Sequence, residues 1–176
     1  DLCTFGKAMA NGFAVAALCG KEKIMSLGSI RNIGAERVFL TSTTHGAEMS
    51  SLGAFIKTIE ILKRDNVIQH VWDYGSTLIQ EANSLSKKHG LSKNVIFNGL
   101  GCSPNYLVMD NQGNNSLSLR TLFLQEMMKE KILIPYVALS FSHGDSEMER
   151  TLLALDKSFG VIKKAIDGQL DKYLDS

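Results

Sequence analysis

Met148, Leu152, Leu155, Phe159, Ile162 and Ile166 recur at steps of three and four residues. That spacing places all six on one stripe of an α-helix, and the stripe needs a packed surface to face. Ser146 and Glu149 stand ahead of it in the pattern of a capping box. Gly168 follows as a stop signal. A single-sided apolar stripe of this kind faces a core of its own chain more often than a partner helix. The chain is therefore expected to build a core under this helix.

Other stretches supply the rest of that core. Met49, Leu52, Ile56 and Ile59 share one helical face. Val67, Val71, Leu78 and Leu85 mark a second helix, with Asn66 as its cap. Lys87, Lys88, His89 and Gly90 stand at its end, where cations and a glycine favour a C-terminus. A further helix is expected over 119–131. Strands are expected over 13–19, 37–41, 94–98, 106–110, 132–134 and 137–141. Residues 21–27 read as a short helix or turn. Residues 28–35, with Gly28, Ser29, Asn32 and Gly34, read as a mobile loop, and 111–115 as a turn. The polar tail 169–176 is expected to fray. Short strands interleaved with helices give an α/β or α+β architecture. Residues 66–176 are expected to fold as one compact unit, with the strands around Val95, Leu107 and Val137 in a small sheet.

Composition excludes several partners. The 176 residues carry a net charge of +1, so no basic field invites nucleic acid. No apolar run approaches the ~18 residues of a membrane helix. The first residues lack the charged and apolar regions of a signal peptide. Cys3, Cys19 and Cys102 share no metal-type spacing. Reduced, mostly buried thiols in a cytoplasmic protein are expected, with Cys19 and Cys102 in the core. The opening residues read like the exit of one element, so the chain is expected to be a fragment.

The first chemical candidate is Lys7. It lies between Gly6 and a small-residue run ending in Asn11 and Gly12, ahead of an apolar stretch. This reads as a lysine on a tight turn leading into a buried strand. A lysine held there is partly desolvated, which favours the neutral amine needed for nucleophilic attack or a Schiff base. The alternative is a solvated surface lysine. The second candidate is the run Thr41, Ser42, Thr43, Thr44, His45 and Gly46 before a helix. Hydroxyls at a helix N-terminus suit a phosphate, because unpaired N–H groups and the positive end of the dipole meet there. An ordinary Ser/Thr N-cap is the alternative. His45 reads as a helix-entry residue. His143 reads as orienting the last helix, and His70 and His89 as plain helix residues.

Asp1, Leu2, Gly6 and Lys7, followed by a glycine-containing turn and an apolar strand, resemble the cofactor-lysine segment of class III aminotransferases. These are fold-type I enzymes that use pyridoxal phosphate. Thr43, Thr44, His45, Gly46, Ala47, Glu48, Met49 and Ser50 are similar to that family's threonine segment. Leu139 to His143, with Glu147 to Leu152, resemble the C-terminal end of glutamate-1-semialdehyde aminomutases. The sequence departs from the family at Ala8 to Gly12, where a glycine-rich run is usual. It departs again at Ala14 for proline, and at Ala47 and Glu48 for Asn-Pro.

The resemblance implies the following. Lys7 is the lysine that binds the cofactor covalently, and Thr43 reaches the cofactor phosphate of the other subunit of a homodimer. Thr44 and Ser42 are helpers without family warrant. Residues 1–65 are the end of the large domain and 66–176 the small C-terminal α+β domain. The acid for the pyridine nitrogen, the stacked aromatic ring and a further phosphate cradle lie in an upstream large-domain segment. The chain is then the C-terminal part of an aminotransferase or aminomutase of the glutamate-1-semialdehyde type, acting on a small amine or amino acid. By itself it is expected to be inactive. Transamination of another amine is the alternative within that class. A non-catalytic structural or partner-binding α/β domain is the alternative outside it.

Overall fold

The computed structural model describes residues 1–29, 31, 44, 46–168 and 170–174. They divide into two compact units, Asp1–Asn66 and Val67–Ser176.

In the first unit, β1 (Leu2–Phe5) pairs antiparallel with β2 (Ala17–Gly20), with Cys3 opposite Cys19 and Phe5 opposite Ala17. A 3-10 turn, Lys7–Met9, lies between them. The short helix α1 (Glu22–Met25) and a second 3-10 turn, Ser26–Gly28, follow. Helix α2 (Met49–Arg64) packs against the Lys7–Met9 turn. The strand expected over 13–19 begins only at Ala17, because residues 6–16 are used in returning the chain from β1. Nor is it buried: Leu2, Phe5, Phe13 and Leu18 are all about half exposed. On α2 the expected apolar face is split, with Leu52 and Ile59 half-buried and Met49 and Ile56 exposed. The strand expected over 37–41 and most of the loop expected over 28–35 lie outside the described residues.

The second unit holds α3 (Val67–Lys88), a hairpin of β3 (Val95–Leu100) and β4 (Ser103–Val108), α4 (Leu117–Lys129) and α5 (Asp145–Ile166). The hairpin pairs Val95 with Val108 and Leu100 with Ser103, so both strands run further towards the turn than expected. The stripe on α5 meets the core: Leu155, Phe159 and Ile162 are fully buried. Phe123 of α4 lies between Tyr106 of β4 and Phe159 of α5, with ring centroids 5.0 and 6.3 Å away. Such aromatic contacts carry much of a small core's energy.

Side chains of α3 close the outer edge of β3. Asn83 Nδ2 donates to the Phe97 carbonyl at 2.8 Å, and the Phe97 N–H donates to Asn83 Oδ1 at 2.9 Å. The Ser86 hydroxyl donates to the Val95 carbonyl at 2.7 Å. An amide side chain thus stands in for a neighbouring strand, and an edge that invites association is covered. Further along α3, Gly75 lies so close to the Gly101 carbonyl in the hairpin turn that a Cβ would overlap it.

Among the described residues no third strand joins this sheet. Residues 132–134 and 137–141, both expected as strands, are irregular. Their anchors are side chains instead. The Tyr106 hydroxyl donates to the Ile134 carbonyl at 2.7 Å, and an Arg120 guanidinium N–H donates to the Pro135 carbonyl at 2.7 Å. Pro104 on β4 lacks a donor, and the Tyr106 N–H is taken by Asn105 Oδ1.

Helix termini also differ from expectation. Helix α4 starts at Leu117 behind Ser116, whose hydroxyl accepts the Leu119 N–H. Helix α5 starts behind Gly144 rather than Ser146, and Glu147 accepts the Gly144 N–H at 2.9 Å. The tail does not fray as expected at 170–174. A 3-10 turn, Leu170–Lys172, leads to Tyr173, whose carbonyl accepts from Gln125 Nε2 at 2.7 Å, and Leu170 and Leu174 pack on the core. All three cysteines are exposed, against the expectation of buried thiols. Cys3 and Cys19 sit on the exposed β1–β2 hairpin, and Cys102 sits at the tip of the other.

Candidate functional site

Lys7 stands at the exit of β1, on the first residue of the 3-10 turn. Its φ is 50°, in the left-handed region, and Asn11 in the same loop has φ 46°. A lysine holds that conformation at a cost of about 1–2 kcal/mol, so its surroundings must impose it, whereas an asparagine visits it readily. Gly12, at φ 112°, completes the return. The Met9 N–H donates to the Gly6 carbonyl at 3.1 Å and the Phe13 N–H to the Ala10 carbonyl at 3.3 Å.

The Lys7 side chain is exposed, so the desolvation expected from its apolar neighbours is not provided by these residues. A turn between two strands carries the lysine clear of both. Among the described residues its amine makes no ion pair or hydrogen bond. Asp1, the nearest acid in sequence, is held by Lys21 at 2.6 Å.

Thr43, the phosphate candidate, lies outside the described residues, as do Ser42 and His45. Thr44, Gly46, Ala47 and Glu48 are described, and all are exposed ahead of α2. The first intrahelical bond of α2 runs from the Leu52 N–H to the Glu48 carbonyl at 3.0 Å. The N–H groups of Met49 and Ser50 precede it and have no partner within the helix. The first unit thus carries an amine of the kind an aldehyde takes and helix N–H groups of the kind a phosphate takes, the two donor types that pyridoxal phosphate needs.

In the second unit a groove of about 470 Å³ runs beside residues 131–139 and the start of α5. Tyr74, His143, Glu147 and Arg150 are among its lining residues. Burial first, and then the charges of Glu147 and Asp145, push the Tyr74 hydroxyl above its usual range. The Gly144 N–H, followed by Ser146, holds the Glu147 carboxyl below its usual range. His70 Nε2 donates to the His143 carbonyl at 2.9 Å, which ties α3 to the entry of α5. Residue order gives no signal for Tyr74, which comes to the same groove as Arg150 only through the packing of α3 on α5.

A family model, aminotransferase class-III, matches residues 1–128. The chain belongs to the class III aminotransferase family. Among curated relatives, the 3-aminobutyryl-CoA aminotransferase of Cloacimonas acidaminovorans is 32% identical over 169 residues, covering 94% of this chain and 39% of that protein. The glutamate-1-semialdehyde 2,1-aminomutase of Fusobacterium nucleatum is 30% identical over 173 residues, covering 90% of this chain and 38% of that protein. The class III chain thus spans well under half the length of these relatives. Among solved structures, the FumI protein of a Sphingopyxis species, in a form holding pyridoxal phosphate, has a TM-score of 0.76 at 22% identity and covers 96% of this chain and 38% of its own. A transaminase with pyridoxal phosphate bound has a TM-score of 0.77 at 20% identity, covering 96% and 40%. These likenesses establish the fold: the class III chain is a partial α/β domain of the fold-type I kind. Among the described residues no helix is long and apolar enough to cross a membrane.

Proposed function

We propose that this chain is the lysine-bearing part of a pyridoxal-phosphate-dependent enzyme that moves an amino group on a small amine or amino acid. One observation carries the reading. Lys7 is unpaired among the described residues, exposed, and set on a left-handed turn at a strand exit, inside the segment that matches the family. Among the described residues no neighbour competes for its Nζ.

Bound pyridoxal phosphate supplies an aldehyde for an amine and a ring that takes up electrons from the reacting carbon. Lys7 Nζ would hold the cofactor and, once free, would carry a proton at the substrate α-carbon. Thr43 and the first N–H groups of α2 bind the phosphate, with Thr43 serving the site of the partner subunit in a homodimer. Residues 1–65 act as the end of the large domain and 66–176 as the small C-terminal domain. The acid for the ring nitrogen and the stacked aromatic ring come from parts of the longer protein beyond these residues. The setting is cytoplasmic.

Within this class we favour the glutamate-1-semialdehyde aminomutase type, on the likeness of Leu139 to His143 to the end of those enzymes and the 30% identity to one of them. Transamination of a β-amino acyl thioester is the second reading, favoured by the 32% identity to the 3-aminobutyryl-CoA aminotransferase. Borohydride reduction of the loaded, complete enzyme, followed by peptide mass mapping, should place the cofactor mass on Lys7. A label on another lysine would overturn the assignment. Assays with glutamate-1-semialdehyde and with a 3-aminoacyl-CoA separate the two reactions.

A further inference from the structure

Cys3 on β1 and Cys19 on β2 are register partners, directly opposite each other in the antiparallel pair. Opposite positions of such a pair have Cα atoms about 4.5–5.5 Å apart, and their side chains leave the same face of the sheet. A disulfide spans Cα separations of about 4.4–6.8 Å, so the backbone already holds the two thiols within bridging reach. Both are free thiols and both are exposed, which lets a small reagent reach either one. The Cys3 thiol makes one weak contact, to the neighbouring Thr4 carbonyl at 3.9 Å, and losing it costs little. Cys102 lies in the second unit, in the turn between β3 and β4, where the strand register sets no cysteine opposite it.

From this register we infer that Cys3 and Cys19 form a reversible redox site, a dithiol that closes to a cross-strand disulfide. The oxidant is a low-molecular-weight disulfide of the glutathione class. The thiolate of one cysteine attacks a sulfur of that disulfide, the small S–S bond breaks, and one small thiol leaves with the proton the cysteine gave up. The second cysteine, as its thiolate, attacks the protein sulfur of the mixed disulfide and expels the second small thiol. Two protein thiols are thereby oxidised to one disulfide, and the small disulfide is reduced to two thiols. In a glutathione-buffered setting the pair rests as thiols, and the exposure of both sulfurs makes the bridge readily reduced again. The bridge ties β1 to β2 across the segment 4–18, which carries Lys7. The inference stands on the register and does not need the proposed role of Lys7.

The test treats the complete enzyme, folded and reduced, with excess oxidised glutathione, then blocks remaining thiols with iodoacetamide and digests with trypsin. Cleavage after Lys7 and Lys21 puts the two cysteines on separate peptides, one ending at Lys7 and the other spanning 8–21. These peptides should appear joined, with a mass about 2 Da below their sum, and should separate when dithiothreitol is added. Non-reducing electrophoresis should show the link within single chains. Cys3→Ser should leave Cys19 carrying one glutathione, and Cys19→Ser should leave Cys3 carrying one, because the second exchange has lost its thiol. Cys102→Ser should leave the joined peptides unchanged. Three results would each overturn the inference: Cys3 and Cys19 both unreacted in the folded enzyme, glutathione on both with no link between them, or a link that runs between chains or to Cys102.

Discussion

His89, just beyond the end of α3, donates its Nε2–H to Oδ1 of Asp156 on α5 at 2.7 Å. Lys88 adds bonds to both oxygens of the same carboxylate, at 3.0 and 3.1 Å. His89 first, and Lys88 next, hold the Asp156 carboxyl below its ordinary range. A carboxyl with a lowered folded pKa stabilises the fold above its unfolded value, about 3.9, and that contribution is lost as the pH falls through the lower folded value. The side chain of Asp156 is 35% exposed, so solvent screening keeps the contribution to about 0.5–1 kcal/mol at neutral pH. Urea unfolding at pH 7, 5 and 2 should show Asp156→Asn less stable than the parent at pH 7 and 5. The difference should close at pH 2. A gap that persists at pH 2 would count against this account.

Two helical glycines should respond to alanine with opposite signs. Gly75 meets the Gly101 carbonyl, so Gly75→Ala forces helix and hairpin apart and should destabilise the second unit by about 1–3 kcal/mol. Gly53 on α2 has open space around its Cβ position. Gly53→Ala should stabilise α2 by up to about 1 kcal/mol through helix propensity. Thermal unfolding of the two variants checks both signs.

Removing the edge cover of β3 should be costly. Asn83→Ala leaves the N–H and carbonyl of the buried residue Phe97 without their side-chain partners. A loss of about 1–3 kcal/mol is expected. Faster amide hydrogen exchange at Phe97 should accompany it, and Asn83→Asp should restore only the half in which the side chain accepts.

The proposed division of the site between subunits has its own test. In the complete enzyme, Thr43→Val should weaken cofactor binding by roughly 1.5–3 kcal/mol, the worth of one hydrogen bond to a charged group. Lys7→Arg should abolish turnover, because a guanidinium cannot make the covalent link. Mixed dimers of Thr43→Val with Lys7→Ala should regain activity at one site, built from Lys7 of one chain and Thr43 of the other. No recovery in verified mixed dimers would sink the shared site.

Periodicity and local chemistry were enough for the long elements. The α5 stripe, the α3 face with Gly90 behind it, and the two strands around Val95 and Leu107 could all be read because each depends on neighbours a few residues away. The same is true of the segment around Lys7, whose residue order carries the family likeness. What tertiary structure decided was pairing and burial. β1 has no apolar run of its own and exists because β2 returns beside it. Residues 137–141 have strand-like composition but no ladder, because β4 presents Pro104 and an occupied Tyr106 N–H. Cys19 and Cys102 have core-like chemistry yet lie exposed on hairpins. The turn that carries Lys7 packs on α2, and residue order alone does not encode a contact with a helix some forty residues away. Helices recur through local bonds and one face, whereas strands and buried contacts need partners distant in sequence, and only the folded chain chooses them.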